Sequence, residues 1–79
     1  MNRYTATFHT HLSALLTSRN LQGAGIGARM APVPRALSSS CGTCVLYEAE
    51  EDCLALMDED MEGIYLATEE GYTLLHERE

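Results

Sequence analysis

Lysine and tryptophan are both absent from this chain of 79 residues. The basic residues are five arginines, and twelve acidic residues bring the formal net charge to −7. So acidic a chain lacks the positive surface that neutralises nucleic-acid phosphates, and an anionic membrane would repel it. We therefore expect neither nucleic acid nor membrane as a partner. A protein with a basic docking face is favoured, because opposite charge steers such a partner into contact.

Long apolar runs are also missing. No stretch approaches the ~20 apolar residues that a membrane-spanning helix needs, and the first eight residues alternate instead of forming the apolar segment of a signal peptide. Hydrophobic residues still make up 46% of the chain, which is enough for one modest core. We expect a single cytoplasmic domain over residues 1–79. In so small a domain, an uncovered edge strand would favour a homodimer.

The first half of the chain shows two periodicities. Alternation over residues 3–8 predicts a half-buried strand. A helix is expected next, from an N-cap at Thr10 to about Gln22. The spacing of its leucines predicts an apolar stripe that covers a sheet: Leu12, Leu15 and Leu16.

The second half predicts more strands and another helix. Three further strands are expected over residues 26–31, 43–47 and 64–68. A second helix is predicted over residues 50–61, with acids suited to its first turn and Cys53 facing the core. Glu69-Glu70-Gly71 indicates a turn into a last strand. The order is typical of an α+β, ferredoxin-like βαββαβ sandwich, with an antiparallel sheet, two helices on one face and an extra C-terminal hairpin strand.

Residues that are capable of catalysis or ligand binding are concentrated between the second and third predicted strands. Both prolines of the chain, Pro32 and Pro34, lie here, followed by Arg35, three serines and Cys41-Gly42-Thr43-Cys44. The thiolate is the reactive form of cysteine, and a nearby arginine lowers the pKa of a thiol. Cys41 and Cys44 are therefore the candidate reactive residues.

Four neighbours are candidates for a supporting role that includes anion binding. Arg35 supplies a fixed positive charge, and Gly42 allows close approach of the backbone to a ligand or partner. Ser39 and Ser40 complete this set, and successive backbone N–H groups after Ser40 are expected to form a nest for an anion such as a persulfide or selenide.

The second cysteine of the pair has two interpretations. Cys44 is either a resolving thiol that attacks a persulfide on Cys41, or a buried residue at the start of a strand. A zinc site is a competing interpretation, because zinc favours sulfur and imidazole ligands and His9 and His11 could complete the set. Since only one ligand pair has a recognised spacing, we expect no cofactor, with zinc as the alternative.

Five short blocks together resemble a known family. In order, they are Tyr4-x-x-x-Phe8, Ala24-Gly25-Ile26, Pro32-Val33-Pro34-Arg35, Ser39-Ser40-Cys41-Gly42 and Glu62-Gly63-Ile64-Tyr65. Their order and spacing are similar to those of the small selenium/sulfur carrier-like domain family, first catalogued as a domain of unknown function. The resemblance extends to about Leu66, and the segment from proline–arginine to Ser-Cys-Gly is its most specific part.

The resemblance implies a carrier of reduced sulfur or selenium on Cys41, and not a turnover enzyme. Its implied partners are a cysteine desulfurase or sulfurtransferase, which supplies the sulfur, and an acceptor protein. Two other classes stay open. One is a non-catalytic interaction or regulatory module in which the loop docks a partner. The other is a small zinc-binding or thiol-redox protein that uses Cys41 and Cys44.

Overall fold

The computed structural model describes residues 1–78, which form five strands, one α-helix and one 3-10 turn. The elements in chain order are β1 (Asn2–Phe8), α1 (His11–Gly23), β2 (Gly27–Pro32), β3 (Thr43–Ala49), the 3-10 turn (Leu54–Leu56), β4 (Met61–Thr68) and β5 (Gly71–Glu77). Within these residues, no helix combines the length and the hydropathy needed to cross a bilayer.

The strands form one antiparallel sheet in the order β2-β3-β1-β4-β5. Because β3 is inserted between β1 and β2, the β1–α1–β2 segment is a split βαβ unit. The helix packs over β1, β2 and β3. The predicted α+β class and antiparallel sheet are confirmed, and the C-terminal hairpin strand is present as β5.

The prediction of a second helix is wrong. In the segment that we call the acidic loop, residues 50–60, only Leu54–Leu56 turns, as a 3-10 helix. Cys53 has φ 58°, a left-handed conformation that is incompatible with a right-handed helix. The Asp52 carboxylate accepts a hydrogen bond from the Leu54 N–H at 3.1 Å, a local bond that competes with helix formation. In the part of the chain that the structure describes, one α-helix, not two, therefore lies on the sheet.

The N-cap of α1 is Thr10 as predicted, and its hydroxyl accepts from the Ser13 N–H at 3.1 Å. The predicted leucine stripe is wrong, because Leu12 and Leu16 are 62% and 40% exposed. The buried side of the helix consists mainly of small and hydroxylated residues: Ser13, Ala14, Thr17, Ser18 and Leu21.

The buried hydroxyls of α1 hold the acidic loop. Ser13 donates to the Asp58 carboxylate at 2.7 Å, and the Asp58 N–H donates to the Thr17 hydroxyl at 2.9 Å. The Asn20 amide donates to the Leu56 carbonyl at 3.2 Å. The loop thus packs beside α1 through specific hydrogen bonds, which explains why polar side chains replace the expected leucines.

β1 is buried on both of its faces. Tyr4, Ala6 and Phe8 join the main core, which lies between α1 and the sheet. Thr5 and Thr7, on the opposite face, are only 2% and 1% exposed. The predicted alternation is confirmed, but the strand is not half-buried, because β1 is the central strand and neighbouring side chains cover its small hydroxylated residues.

Candidate functional site

The cysteine loop, which we define as residues 33–42, connects the neighbouring strands β2 and β3. Its ends are joined by a hydrogen bond from the Val33 N–H to the Gly42 carbonyl at 3.1 Å. Inside it, the Leu37 N–H donates to the Pro34 carbonyl at 3.0 Å and closes a turn. Gly42 has φ 73°, a left-handed conformation that glycine adopts without strain. The loop is therefore closed at its base and shaped by a glycine beside Cys41.

A carboxylate outside the loop, that of Glu62 on β4, holds its serine segment. One carboxylate oxygen accepts from the Ser40 N–H at 2.9 Å and from the Ser39 hydroxyl at 3.0 Å, and the other accepts from the Ser40 hydroxyl at 3.0 Å. Burial alone would raise the pKa of Glu62, but these hydrogen bonds and the nearby His9 imidazole outweigh it and lower that pKa. Glu62 is therefore a charged anchor of the cysteine loop.

A β-bulge explains how Glu62 reaches the loop. In the β1–β4 ladder, Thr7 pairs with Gly63 and Phe8 pairs with Met61, so Glu62 has no partner residue. Such bulges redirect a side chain out of the regular alternation. Sequence reasoning did not select Glu62 as a site residue, although it begins the last of the five family blocks.

Cys41 is half-buried and packs against the main core on the α1 side of the sheet. Its sulfur lies 3.8 Å from the Ser39 hydroxyl oxygen, and its thiol donates to the Thr43 carbonyl at 3.5 Å. The Ser39 hydroxyl is also 2.7 Å from the Phe8 carbonyl. Cys41 is thus partly exposed, and the neighbouring Ser39 hydroxyl lies within hydrogen-bonding distance of the Phe8 carbonyl and the Glu62 carboxylate.

Cys44 lies in β3 and is fully buried. Burial raises the pKa of its thiol, and the proximity of Cys41 adds to the rise while Arg29 opposes it. The register pairs Cys44 with Thr7 and Ala31, on the face opposite α1. The two cysteines of the Cys-x-x-Cys sequence therefore lie toward opposite faces of the sheet, which favours the interpretation of Cys44 as a buried strand residue.

The residues predicted to bind an anion do not surround Cys41 with free hydrogen-bond donors. Arg35 is exposed and, within residues 1–78, makes no hydrogen bond or ion pair with Cys41. The Ser40 N–H, which immediately precedes the expected nest, donates to the Glu62 carboxylate at 2.9 Å. An anion-binding role stays a prediction for four residues: Arg35, Ser39, Ser40 and Gly42.

The two histidines near the loop do not converge with the cysteines. The His9 Nδ1 lies 3.4 Å from the Ser40 hydroxyl oxygen, and the His11 Nδ1 lies 3.4 Å from the Thr43 hydroxyl oxygen. Across residues 1–78, no three histidine, cysteine or acidic side chains are grouped to hold a metal ion. The zinc set considered from the sequence is thus not assembled in this conformation.

A second polar cluster holds the N-terminal end of the acidic loop, whereas the hydroxyls of α1 hold its C-terminal end at Asp58. The Tyr47 hydroxyl donates to the Asp52 carbonyl, and the Asp52 carboxylate lies 2.7 Å from the His76 Nε2. The hydrogen bond with His76 is the main cause of a lowered Asp52 pKa.

Cys53 is half-buried beside the main core, as expected, although it does not lie on a helix. Burial, followed by the charges of Asp52 and Glu51, raises the pKa of its thiol.

The fold and the site define a small α+β domain built around one half-buried loop cysteine. The profile of the family described as "Putative Se/S carrier protein-like" matches residues 3–67. The match covers the split βαβ unit, the cysteine loop and the bulge that carries Glu62. The chain belongs to this family. Comparison with curated proteins and with solved structures found no match.

Proposed function

We propose that this protein is a carrier that accepts sulfur or selenium on Cys41 and delivers it to an acceptor protein. The observation that carries the proposal is the placement of Cys41, a half-buried thiol in a loop that Glu62 anchors. Cys44 is fully buried, so it is the less accessible thiol of the pair. The description of the family supports the same assignment.

Loading is a thiol exchange. The Cys41 thiolate attacks the terminal sulfur of a persulfide on a cysteine desulfurase or sulfurtransferase. The sulfur–sulfur bond of the donor breaks, the donor leaves as its thiolate, and Cys41 becomes a persulfide without net oxidation. A thiolate of the acceptor then attacks that terminal sulfur, and Cys41 is released as a thiolate. Bound selenium would move by the same exchange.

The surrounding residues position the loaded sulfur. The Ser39 hydroxyl oxygen lies 3.8 Å from the Cys41 sulfur and is placed to accept a hydrogen bond there, since its own proton is directed to the Phe8 carbonyl or the Glu62 carboxylate. Glu62 fixes Ser39 and Ser40 and thereby orients the loop. Arg35 is exposed on the same loop and is available to attract an anionic donor group.

Cys44 would act as a resolving thiol only after a local opening. Its thiolate would attack the inner sulfur of the Cys41 persulfide, form a disulfide and expel hydrosulfide. Because Cys44 is buried in β3 on the other face, direct transfer from Cys41 to the acceptor is the favoured route.

The scaffold is best interpreted as a ferredoxin-like sheet whose second helix is replaced by the acidic loop. The split βαβ unit and the antiparallel β4 beside β1 support this interpretation. We assign the protein to the cytoplasm, where thiols stay reduced and three free cysteines remain available.

Intact-mass measurement after incubation with a cysteine desulfurase and free cysteine tests the proposal. The protein should gain the mass of one sulfur atom, and a reductant should remove it. Cys41→Ser should abolish the gain, whereas the matched variants Cys44→Ser and Cys53→Ser should keep it. An equal gain in Cys41→Ser, or no gain in the parent protein, would refute the assignment.

The same samples distinguish the alternatives. A loss of two hydrogens that requires both Cys41 and Cys44 would support a thiol-redox protein. Stoichiometric zinc in the freshly purified protein would support a metal site. Normal partner binding after replacement of both cysteines would support an interaction module.

A further inference from the structure

β5 lies outside the residues that the family profile covers, since the profile ends at residue 67 and β5 begins at Gly71. Among residues 1–78, the side chains that form the main core, and the apolar ones packed against them, all come from other parts of the chain. The large apolar side chains of β5 are exposed: Tyr72, Leu74 and Leu75. β5 is therefore held by its backbone ladder with β4 and by polar contacts near its end.

A β-bulge turns the end of β5 toward the acidic loop. The ladder pairs Leu74 with Tyr65, on the face opposite α1. The next pair is His76 with Ile64, a core residue on the α1 side, so Leu75 has no partner in β4. Because a bulge of this kind redirects the side chains that follow it, His76 lies on the same side of the sheet as the acidic loop.

The end of β5 contacts the acidic loop at two points. The His76 Nε2 lies 2.7 Å from the Asp52 carboxylate. The guanidinium of Arg78, the residue that follows β5, donates to the Asp58 carbonyl at 3.2 Å. These contacts join the end of β5 to both ends of the acidic loop.

The backbone of Arg78 also holds Glu62, which anchors the cysteine loop. Glu62 is the bulge residue of β4 and has no paired residue in β1. On its other side, its carbonyl accepts from the Arg78 N–H at 2.8 Å. Its carboxylate in turn accepts from Ser39 and Ser40. A continuous series of hydrogen bonds therefore joins the end of β5 to the segment beside Cys41.

We propose that residues 71–78 are a strap that keeps the cysteine loop closed, with Arg78 as a positioning residue that acts through Glu62. Release of the end of the strap frees the Glu62 backbone. The Glu62 carboxylate then loses its alignment with Ser39 and Ser40, and the loop opens around Cys41. Because the strap adds nothing to the main core, its end can separate from β4 while the core stays folded.

The purpose of the strap rests on the proposed function. Cys41 is half-buried while the strap is closed, and a carrier must present this thiol to a donor and then to an acceptor. Opening of the strap would regulate that access. The opening itself belongs to the fold, so it is measurable with no sulfur present.

Native-state alkylation tests the strap, with each cysteine followed separately by peptide mass spectrometry. Arg78→Pro removes the N–H that holds Glu62. It should accelerate alkylation of Cys41 at least about fivefold, the change in an opening equilibrium that the loss of one hydrogen bond gives. The matched variant Arg78→Ala keeps the N–H, so its rate should stay within about twofold of the parent rate. Alkylation of the fully buried Cys44 should be unchanged in both variants.

A double variant tests whether Arg78 acts through Glu62. Glu62→Ala deletes the carboxylate that transmits the restraint, so adding Arg78→Pro to it should change Cys41 alkylation by less than about twofold. A full additional acceleration would overturn this route. A parent-like rate for Arg78→Pro alone, or equal acceleration of Cys41 and Cys44, would overturn the strap.

Amide hydrogen exchange of the parent protein, followed by NMR, tests the strap without a substitution. The Ser40 N–H and the Arg78 N–H donate to the carboxylate and to the carbonyl of Glu62. One opening should expose both, so their protection factors should agree within about threefold. A difference of more than about tenfold would show that the two amides open separately, and would overturn the proposal.

The alkylation and sulfur-loading assays fail separately. If the parent protein gains no sulfur but Arg78→Pro accelerates alkylation, the carrier assignment is wrong and the strap is supported. If the parent protein loads sulfur on Cys41 but Arg78→Pro changes neither loading nor alkylation, the carrier is supported and the strap is wrong.

Discussion

The cysteine loop and the acidic loop are both held by carboxylates. The carboxylate lies outside the cysteine loop, whereas the acidic loop contains its own carboxylates. The cysteine loop supplies the donors, and its carboxylate, that of Glu62, belongs to β4, a strand that the loop does not connect. The acidic loop supplies the carboxylates of Asp52 and Asp58, and the scaffold supplies the partners His76 and Ser13. The cysteine loop can therefore be released by one substitution outside it, whereas the acidic loop carries its own anchors.

The loops also differ at their left-handed residues. The cysteine loop uses Gly42 at φ 73°, where glycine is unstrained, and the acidic loop uses Cys53 at φ 58°. A non-glycine residue in this region costs about 1–2 kcal/mol. The acidic loop therefore contains a strained residue that its hydrogen bonds stabilise, and the cysteine loop does not.

The largest expected effect comes from removing the external anchor. Glu62→Ala deletes three hydrogen bonds to a charged group, so it should lower the free energy of unfolding by about 2–3 kcal/mol. It should also accelerate alkylation of Cys41, measured by mass spectrometry under native conditions. The matched variant Asp58→Ala loosens only the acidic loop. Equal acceleration in both variants would show that the two loops are not independently held.

The next effect concerns the acidic loop. Tyr47→Phe removes the buried hydroxyl that donates to the Asp52 carbonyl, and should lower the free energy of unfolding by about 1–2 kcal/mol. Amide hydrogen exchange should increase within residues 50–56 and not in the cysteine loop. Urea unfolding gives the first quantity and exchange mass spectrometry the second. Unchanged exchange across residues 50–56 would contradict this role for Tyr47.

Acid should weaken both loops for the same reason. The pKa values of Glu62 and Asp52 are lowered in the folded protein. The unfolded chain therefore binds protons first, so stability is fully present above the unfolded-state pKa of about 4 and is lost as the pH falls through the folded values. Urea midpoints should fall over this range, and Glu62→Gln and Asp52→Asn should each flatten the decline. An unaltered decline in both variants would assign it to other groups.

Substitutions at the two left-handed residues should have effects of opposite sign, and the net effect at Cys53 should be the smallest of all. Gly42→Ala meets no neighbouring atom but must adopt a positive φ, so it should destabilise the fold by about 1–2 kcal/mol. Cys53→Gly relieves a similar strain but gives the unfolded chain more freedom, which offsets about 0.5–1 kcal/mol of the gain. Thermal unfolding should therefore shift down for the first variant and slightly up for the second. A lower midpoint for Cys53→Gly would indicate that its side-chain packing outweighs the strain.

Short-range patterns predicted the first half of the chain well. The alternation in β1, the Thr10 cap and the position of the cysteine loop all depend on residues close in sequence. The second helix was predicted wrongly because acids suit a helix start, while the local bond between Asp52 and Leu54 and the long-range bond from Ser13 to Asp58 hold the segment in another conformation. Glu62 was missed for a similar reason, since a bulge arises from the pairing of two strands and has no local signal.

The leucines of α1 illustrate the same limit. Their spacing fits an apolar stripe, but the acidic loop presents Asp58, so hydroxylated residues occupy the buried side instead. Which side of a helix is buried depends on the chemistry of its neighbour as well as on its own periodicity.

That hydroxylated helix face has a thermodynamic consequence. Three of the five buried residues of α1 are Ser13, Thr17 and Ser18, and no buried side-chain oxygen or nitrogen within residues 1–78 lacks a hydrogen-bond partner. Exposing apolar surface raises the heat capacity and exposing polar surface lowers it, so unfolding should show a heat-capacity change below the usual ~12–15 cal/mol/K per residue. The enthalpy of unfolding would then vary less steeply with temperature than in a domain of the same size with an apolar helix face, and the stability curve would be correspondingly flatter.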